Sequence, residues 1–301
     1  MRVAVIDVGS NTVRLLVAER DGSVISPVVE RKARLGLGEE VERRGRISPA
    51  KLTEASLAVR EMAREARELG SSLVEVVVAS PGRQAENAGR LIRQLARSTA
   101  APVRVLSADE EAVLAYRGAL AFAGPQAASV VVCDVGGGST QLAFGEPHRQ
   151  PVWLSSVDIG SLRLSARLLD GDPAGKKAIA AARAAVRDEF DGVVVPLPKA
   201  ALAVGGSARA LRKLVGGTLG RDELGEAVSI LRRKKRAEVA GRYEIDPGRV
   251  RTLAAGAVIL AEVQRRLGIP LVVVKAGLRE GLALSLLDEA TSLRGTAEEI
   301  A

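Results

Sequence analysis

A chain of 301 residues, 47% hydrophobic and 27% charged, is long enough for about two domains and too apolar to be disordered. Aromatic residues make up only 2%, so the cores must be aliphatic; a lone cysteine (Cys133) excludes an internal disulfide and a thiolate-rich metal site, and a lone histidine (His148), in the loop-like GEPHRQP, argues against a multi-histidine zinc site and a serine–histidine–aspartate triad. Lys and Arg outnumber Asp and Glu by 44 to 36; the net +8 suits an anionic partner, although solubility alone would also account for it.

Residues 3–8 and 13–18 are apolar runs around GSN (9–11), which predicts a hairpin of two buried strands. Ser48, Pro49 and Gly70 then bracket a helix as cap, first-turn proline and stop, with Leu52, Ala55, Val59, Met62, Ala66 and Leu69 at helical spacing. A buried strand is expected at 74–80, a helix at 86–98, a strand at 101–107 and a helix opened by the capping-box sequence SADE (107–110). GPQA (124–127) reads as a linker. Beyond it a strand–turn–strand unit returns at 130–145. A strand near 152–157, helices near 160–170 and 174–190 and a strand–turn–helix at 201–214 follow. The remainder reads as a basic helix over 222–242, a helix over 249–267 and a closing strand, turn and helix. This alternation predicts an α/β protein. The first residues, interrupted by an acid, do not form a signal peptide, and no window reaches the roughly 18 apolar residues of a membrane span, so a cytoplasmic protein away from membranes is expected.

The two hairpins are copies. Sliding AVIDVGSNTVRLLVA (4–18) over VVCDVGGGSTQLAFG (131–145) by 127 positions superposes Asp7 on Asp134, Gly9 on Gly136, Thr12 on Ser139 and Arg14 on Gln141. A glycine turn lets backbone N–H groups converge on an anion, and Ser139 and Thr140 add hydroxyls. The acid ending the first strand would repel a phosphate unless a divalent cation stood between them. Acid plus phosphate loop therefore implies Mg²⁺ or Mn²⁺, completed by water and phosphate oxygens. A plain hairpin turn is the alternative for one copy; two copies in register argue for a ligand and predict two related lobes with a cleft between them. VGGSARAL (204–211) offers a third glycine turn at a helix start and reads equally as a cap or an anion site. RRKKR (232–236), in the expected basic helix, is either a solvated face or a guide for a polyanion.

These segments together resemble the exopolyphosphatase and guanosine pentaphosphate phosphohydrolase (Ppx/GppA) family. The resemblance is carried by VIDVGSNTVRLLV (5–17), SPGRQAEN (80–87), SADEEAVLAYRGA (107–119), CDVGGGSTQL (133–142), DIGSLRL (158–164), AVGGSARAL (203–211), DPGRVRTLAAGAVIL (246–260) and KAGLREGL (275–282). It implies an α/β fold of two actin-like (ribonuclease H-like) lobes with an interdomain cleft, 1–122 and 123–301, and a last helix, about 278–289, returning to the lobe boundary. It implies Glu111 as the residue that activates water, and Arg83 as the cation that neutralises charge on the transferred phosphoryl group. Asp134 and, more weakly, Asp7 would hold the metal together with Glu111. Gly136, Gly137, Gly138 and Ser139 would bind the terminal phosphate; Ser10, Asn11, Gly205, Gly206 and Ser207 would enclose it and its neighbour. From the residues alone, Glu111 also fits a first-turn acid complementing the helix dipole, and Arg83 an exposed polar helix start. The family's GGGSTE becomes GGGSTQ here: Gln141 can offer a carbonyl oxygen to a cation or water but not a charge.

The implied activity is Mg²⁺-dependent release of terminal phosphate from inorganic polyphosphate by water attack. The alternatives are guanosine pentaphosphate 5′-phosphohydrolase on the same site, a sugar kinase or ATPase of the same superfold, and a catalytically weak polyphosphate or nucleotide sensor, which Gln141 would suit. Scarcity of aromatic stacking partners argues against a nucleic-acid binder. A homodimer is implied by the resemblance only.

Overall fold

The computed structural model describes residues 1–21, 24–124 and 127–300; Pro125 and Gln126 of the expected linker lie outside the described residues. The first unit comprises Met1–Ser107 with Leu278–Ala301, and the second Ala108–Gly277. The first contains β1 (Arg2–Val8), β2 (Thr12–Asp21), β3 (Val24–Arg34), α1 (Leu37–Arg44), α2 (Pro49–Glu68), β4 (Leu73–Val78), α3 (Ser80–Gln84), α4 (Ala88–Thr99) and β5 (Val103–Val105). The second opens with α5 (Ala108–Ala123), β6 (Val130–Val135), β7 (Thr140–Gly145), β8 (Trp153–Val157), α6 (Ser161–Leu168) and α7 (Lys176–Glu189). It continues through β9 (Ala200–Val204), α8 (Gly205–Val215), β10 (Thr218–Leu219), α9 (Arg221–Arg233), α10 (Arg236–Arg242), α11 (Pro247–Val250), α12 (Leu253–Leu267) and β11 (Leu271–Val273). The chain then rejoins the first unit as α13 (Leu278–Ile300).

Each unit is built on one mixed sheet, ordered β3-β2-β1-β4-β5 in the first and β10-β11-β9-β6-β7-β8 in the second. In each, the glycine hairpin is antiparallel and its first strand runs parallel to the next strand inward. This is the two-sheet α/β architecture expected from the sequence. Alternation along the strands shows how both sheet faces are covered. In β6, Val131, Cys133 and Val135 enter the core shared with α7, α9 and α12, whereas Val130 and Val132 pack with Ala112, Ala115, Tyr116 and Ala119 of α5. In β1, Ala4, Ile6 and Val8 enter the core shared with α2 and α4. Val3 and Val5, fully buried, lie on the opposite face, where α13 packs on β1 and β2.

Four features differ from the sequence expectation. The units part after Ser107, ahead of residue 122, because α5 packs on β6, β7 and β8; α13 belongs with the first unit instead of the second. β3 was hidden by Pro27 and its charges, which an edge strand accommodates; Pro27 stands opposite Ala18 at a register shift. The expected helix over 222–242 breaks at Lys234–Lys235, both extended. There Asp172 accepts the Arg236 N–H at 2.7 Å, and the Arg236 guanidinium donates to the carbonyls of Leu169, Asp170 and Gly171. With Lys234 paired to Glu238, RRKKR is not one charged helix face. The expected helix over 249–267 is likewise two helices, α11 and α12. Among the described residues no helix is long and apolar enough to cross a membrane.

Candidate active site

The duplication read from the sequence is a duplication of geometry. In the first hairpin Asp7 pairs across the strands with Arg14, and the Gly9 N–H donates to the Thr12 carbonyl at 3.0 Å. In the second, Asp134 pairs with Gln141, and the Gly136 N–H donates to the Ser139 carbonyl at 3.0 Å. The strand pairing thus reproduces the 127-residue shift residue for residue.

The first hairpin's turn is held from outside the sheet. Carbonyls of Ser10 and Asn11 accept from the amides of Gly38, Leu35 and Gly36 at 2.8–3.1 Å. The Ser10 hydroxyl is 3.1 Å from the Ser80 hydroxyl, which donates to Gln84 Oε1 at 2.7 Å. Asn11 Nδ2 is buried without a hydrogen-bond partner, a donor that an anion at the turn would satisfy. Arg83, on α3, donates from Nη1 to the Leu106 carbonyl at 2.6 Å, which fixes its guanidinium. Burial pushes the Asp7 carboxyl above the ordinary range against the pull of Arg279 and Arg14, with Glu280 adding to the rise.

The second hairpin's turn is seated on α6. The amides of Ser161, Leu162 and Arg163 donate to the carbonyls of Gly136 and Gly137 at 2.9–3.0 Å, and the Ser161 hydroxyl donates to Gly136 at 3.0 Å. A Cβ at Gly160 would collide with the backbone of Gly137 and Gly138, so only glycine allows this approach. Thr140, fully buried, donates to the Ile159 carbonyl at 2.6 Å. Its hydroxyl is therefore turned toward the chain and not toward a ligand. Gln141 Nε2 donates to Ser139 Oγ at 2.8 Å and to Ser156 Oγ at 3.3 Å. Because Ser139 accepts from Gln141, its own proton remains for another acceptor.

The third glycine turn abuts Asp134. Gly205 has φ +87°, and a Cβ there would stand 2.5 Å from Asp134 Oδ1. Above the next residue lies a cation: a Cβ on Gly206 would be 2.5 Å from Arg249 Nη2. Arg249 is positioned by α11, whose cap Asp246 accepts from the Gly248 and Arg249 amides at 3.0 and 3.3 Å. A guanidinium at the start of α8 opposes the helix dipole, and an anion between them would turn that repulsion into attraction. Ser207 points elsewhere. It is fully buried against Gly256 of α12, its hydroxyl unpartnered, so the contribution of this residue to the turn is its backbone.

Glu111 is buried at 7% exposure in the first turn of α5, on the stripe with Ala115 and Ala119 that faces the sheet. Further along α5, the Tyr116 hydroxyl donates to the Glu146 carbonyl at 2.8 Å, beside the strand end that pairs with Val130. The helix therefore runs opposite to β6. Its first turn lies toward the strand end carrying Asp134, whose parity with Val130 and Val132 places it on the α5 face. Cys133 points to the other face, where burial and the nearby Asp134 charge push its thiol far up, as befits a small core residue.

In the second unit Asp134 abuts Gly205, Gln141 holds Ser139, and Glu111 stands on the helix covering the face that carries Asp134; in the first, the turn of Ser10 and Asn11 follows Asp7, and Ser10 meets Ser80 of the helix that carries Arg83. Arg249 was missed as a site residue. DPGRVRTL contained it, but only the fold brings it over Gly206. Among the described residues no group of three or more His, Cys, Asp and Glu side chains gathers to cage a metal.

Known proteins resemble the chain along nearly its whole length. The chain is 30% identical to exopolyphosphatase 2 of Mycobacterium tuberculosis over 95% of its own length and 98% of that protein's. It is 28% identical to exopolyphosphatase 1 of Mycobacterium bovis, covering 96% of this chain and 89% of that one. The crystal structure of the Aquifex aeolicus Ppx/GppA family member superposes with a TM-score of 0.81 at 26% identity, over 96% of this chain and 98% of that one. A solved exopolyphosphatase-like protein superposes with a TM-score of 0.86 at 27% identity, over 95% and 97%. The model of the Ppx/GppA phosphatase family matches residues 15–290. The chain belongs to the Ppx/GppA phosphatase family.

Proposed function

We propose that the chain is a Mg²⁺-assisted exopolyphosphatase, releasing orthophosphate from the end of inorganic polyphosphate. The observation that carries this reading is the junction of Asp134, the Gly205–Gly206 turn and Arg249: an acid, an amide-rich helix start and a guanidinium within one small region. The donor set fits a hard cation that keeps waters and phosphate oxygens in its shell, for which one or two carboxylates suffice. Asp134 and Glu111 would hold it, and Asp7 is the equivalent carboxylate of the first hairpin. When bound, the metal would neutralise charge on the phosphate oxygens.

The chain's own residues do the rest. Amides of Gly137 and Gly138 and the Ser139 proton bind the terminal phosphate, while the Gly136 amide closes the turn onto the Ser139 carbonyl; Gly205, Gly206 and Arg249 take the neighbouring anion. In the first unit Ser10 and Asn11 supply donors of the same kind, and Arg83 a cation. Glu111 accepts a proton from the attacking water. Phosphoryl transfer needs little covalent work from a protein, so positioning and electrostatics suffice.

The test measures phosphate release from long-chain polyphosphate, tripolyphosphate and guanosine pentaphosphate, with and without Mg²⁺. Release from polyphosphate that requires Mg²⁺ is expected. Release from guanosine pentaphosphate alone would shift the substrate, and binding without any release would make the chain a sensor.

A further inference from the structure

A groove of about 690 Å³ lies between α7 and α9 with α12 as its floor, and no residue lining it belongs to the glycine turns. It continues into a second hollow of about 420 Å³ that shares Arg183, Arg187 and Gly225 with the first. Arg183 and Arg187 stand on α7 and Arg221 on α9; Lys176 and Arg232 extend the same lining. None of these five cations has an acidic partner among the described residues. The acid of the lining, Glu262, is engaged by Arg265 at 2.6 Å and Arg266 at 2.8 Å, so it withdraws no charge from the five.

Gly225 indicates that the opening is built in. A glycine inside a helix is destabilising relative to alanine, and here packing does not demand it, since a Cβ would meet nothing within 4 Å. Its missing side chain leaves the groove open where the two hollows join. The cations are strung out, not clustered: Lys176 to Arg187 alone spans about 16 Å of helix at 1.5 Å per residue. A single orthophosphate cannot touch such a row, whereas an extended polyanion can. No aromatic residue lines either hollow, so nucleobases have nothing to stack on.

We propose that the α7–α9 groove is a second polyanion site that holds the trailing chain of inorganic polyphosphate. The proposal rests on the polyphosphate reading above, and its test separates the two. The triple variant Arg183→Gln, Arg187→Gln, Arg221→Gln is compared with the parent for direct binding of long-chain polyphosphate across salt concentrations and for phosphate release from tripolyphosphate. The variant should bind the long chain on the order of tenfold more weakly, with a salt slope smaller by about two to three, and hydrolyse tripolyphosphate at the parent rate. Gly225→Leu, which fills the groove without changing charge, should lose the same long-chain affinity while keeping its melting transition. Unchanged long-chain affinity in both variants overturns the groove. Tighter parent binding of duplex DNA or of acidic phospholipid vesicles than of polyphosphate overturns its occupant. If no substrate is hydrolysed but only the parent retains the long chain, the groove stands and the hydrolytic reading falls.

Discussion

The two hairpins share one strand register and differ in what surrounds the acid. Asp7 faces Arg14 across the strands and lies under α13, whose first turn brings Arg279 and Glu280. Asp134 faces the neutral Gln141 and lies under α5, whose first turn brings Glu111. Arg279 is itself buried and bound to Glu280 and Glu30, so the first acid sits in a mixed-charge network. The same backbone device therefore carries two electrostatic programmes. One offsets its acid internally; the other keeps acids on one face, where a cation and a phosphate would compensate them.

The sharpest way to break this comparison is to remove corresponding helix acids. Glu111→Gln should lower phosphate release by about 10²–10⁴-fold, the range for a lost general base, whereas Glu280→Gln in α13 should stay within about tenfold. Equal losses would erase the distinction between the hairpins. Next in size, Gly205→Ala forces a side chain into a left-handed backbone and against the Asp134 carboxylate. A loss of about 1–3 kcal/mol in denaturant unfolding is expected, with reduced Mg²⁺-dependent turnover. Gln141→Glu tests the cross-strand difference. A glutamate cannot donate to Ser139, so the serine proton would turn toward the new charge; the Mg²⁺ requirement should fall by about two- to tenfold while the KM for polyphosphate rises. Identical values for both proteins would remove any role for this position. The smallest effect on turnover belongs to Glu262, in the lining of the α7–α9 groove and away from both hairpins. Burial raises Glu262, but hydrogen bonds from Arg265 and Arg266 outweigh it and hold the carboxyl below its ordinary value. Its stabilisation is present above the ordinary carboxylate pKa and lost as pH falls through the lowered one. Glu262→Gln should cost about 1–2 kcal/mol at neutral pH, a gap that closes in acid, with turnover of tripolyphosphate unaltered.

Much of this was legible in local spacing. The paired hairpins, the capped α2 and the glycine turn before α8 are each specified by neighbours in the chain: Ser48 accepts the Lys51 amide, and Pro49 opens the helix. What spacing could not convey is contact across many residues. A helical run is broken at Lys234–Lys235, where Asp172 takes the Arg236 amide, and Arg249 is carried over Gly206 by a turn that Asp246 caps. Ser207 looked like a ligand hydroxyl because its sequence neighbours are glycines, yet Gly256, far along the chain, receives it. The boundary at Ser107 was hidden for the same reason, since helical spacing in α5 shows an apolar stripe but not which sheet it covers.

The discontinuity of the first unit has an effect during synthesis. Its sheet can form once β5 has emerged, but Val3, Val5 and Leu16 lack their cover until α13, beyond the whole second unit, has been made. Burying each such side chain is worth about 1.5–3 kcal/mol, so a nascent or truncated chain without that helix exposes a sticky apolar surface. The amino-terminal half therefore finishes folding only after the last helix has left the ribosome, and a chain trimmed ahead of Leu278 is expected to aggregate.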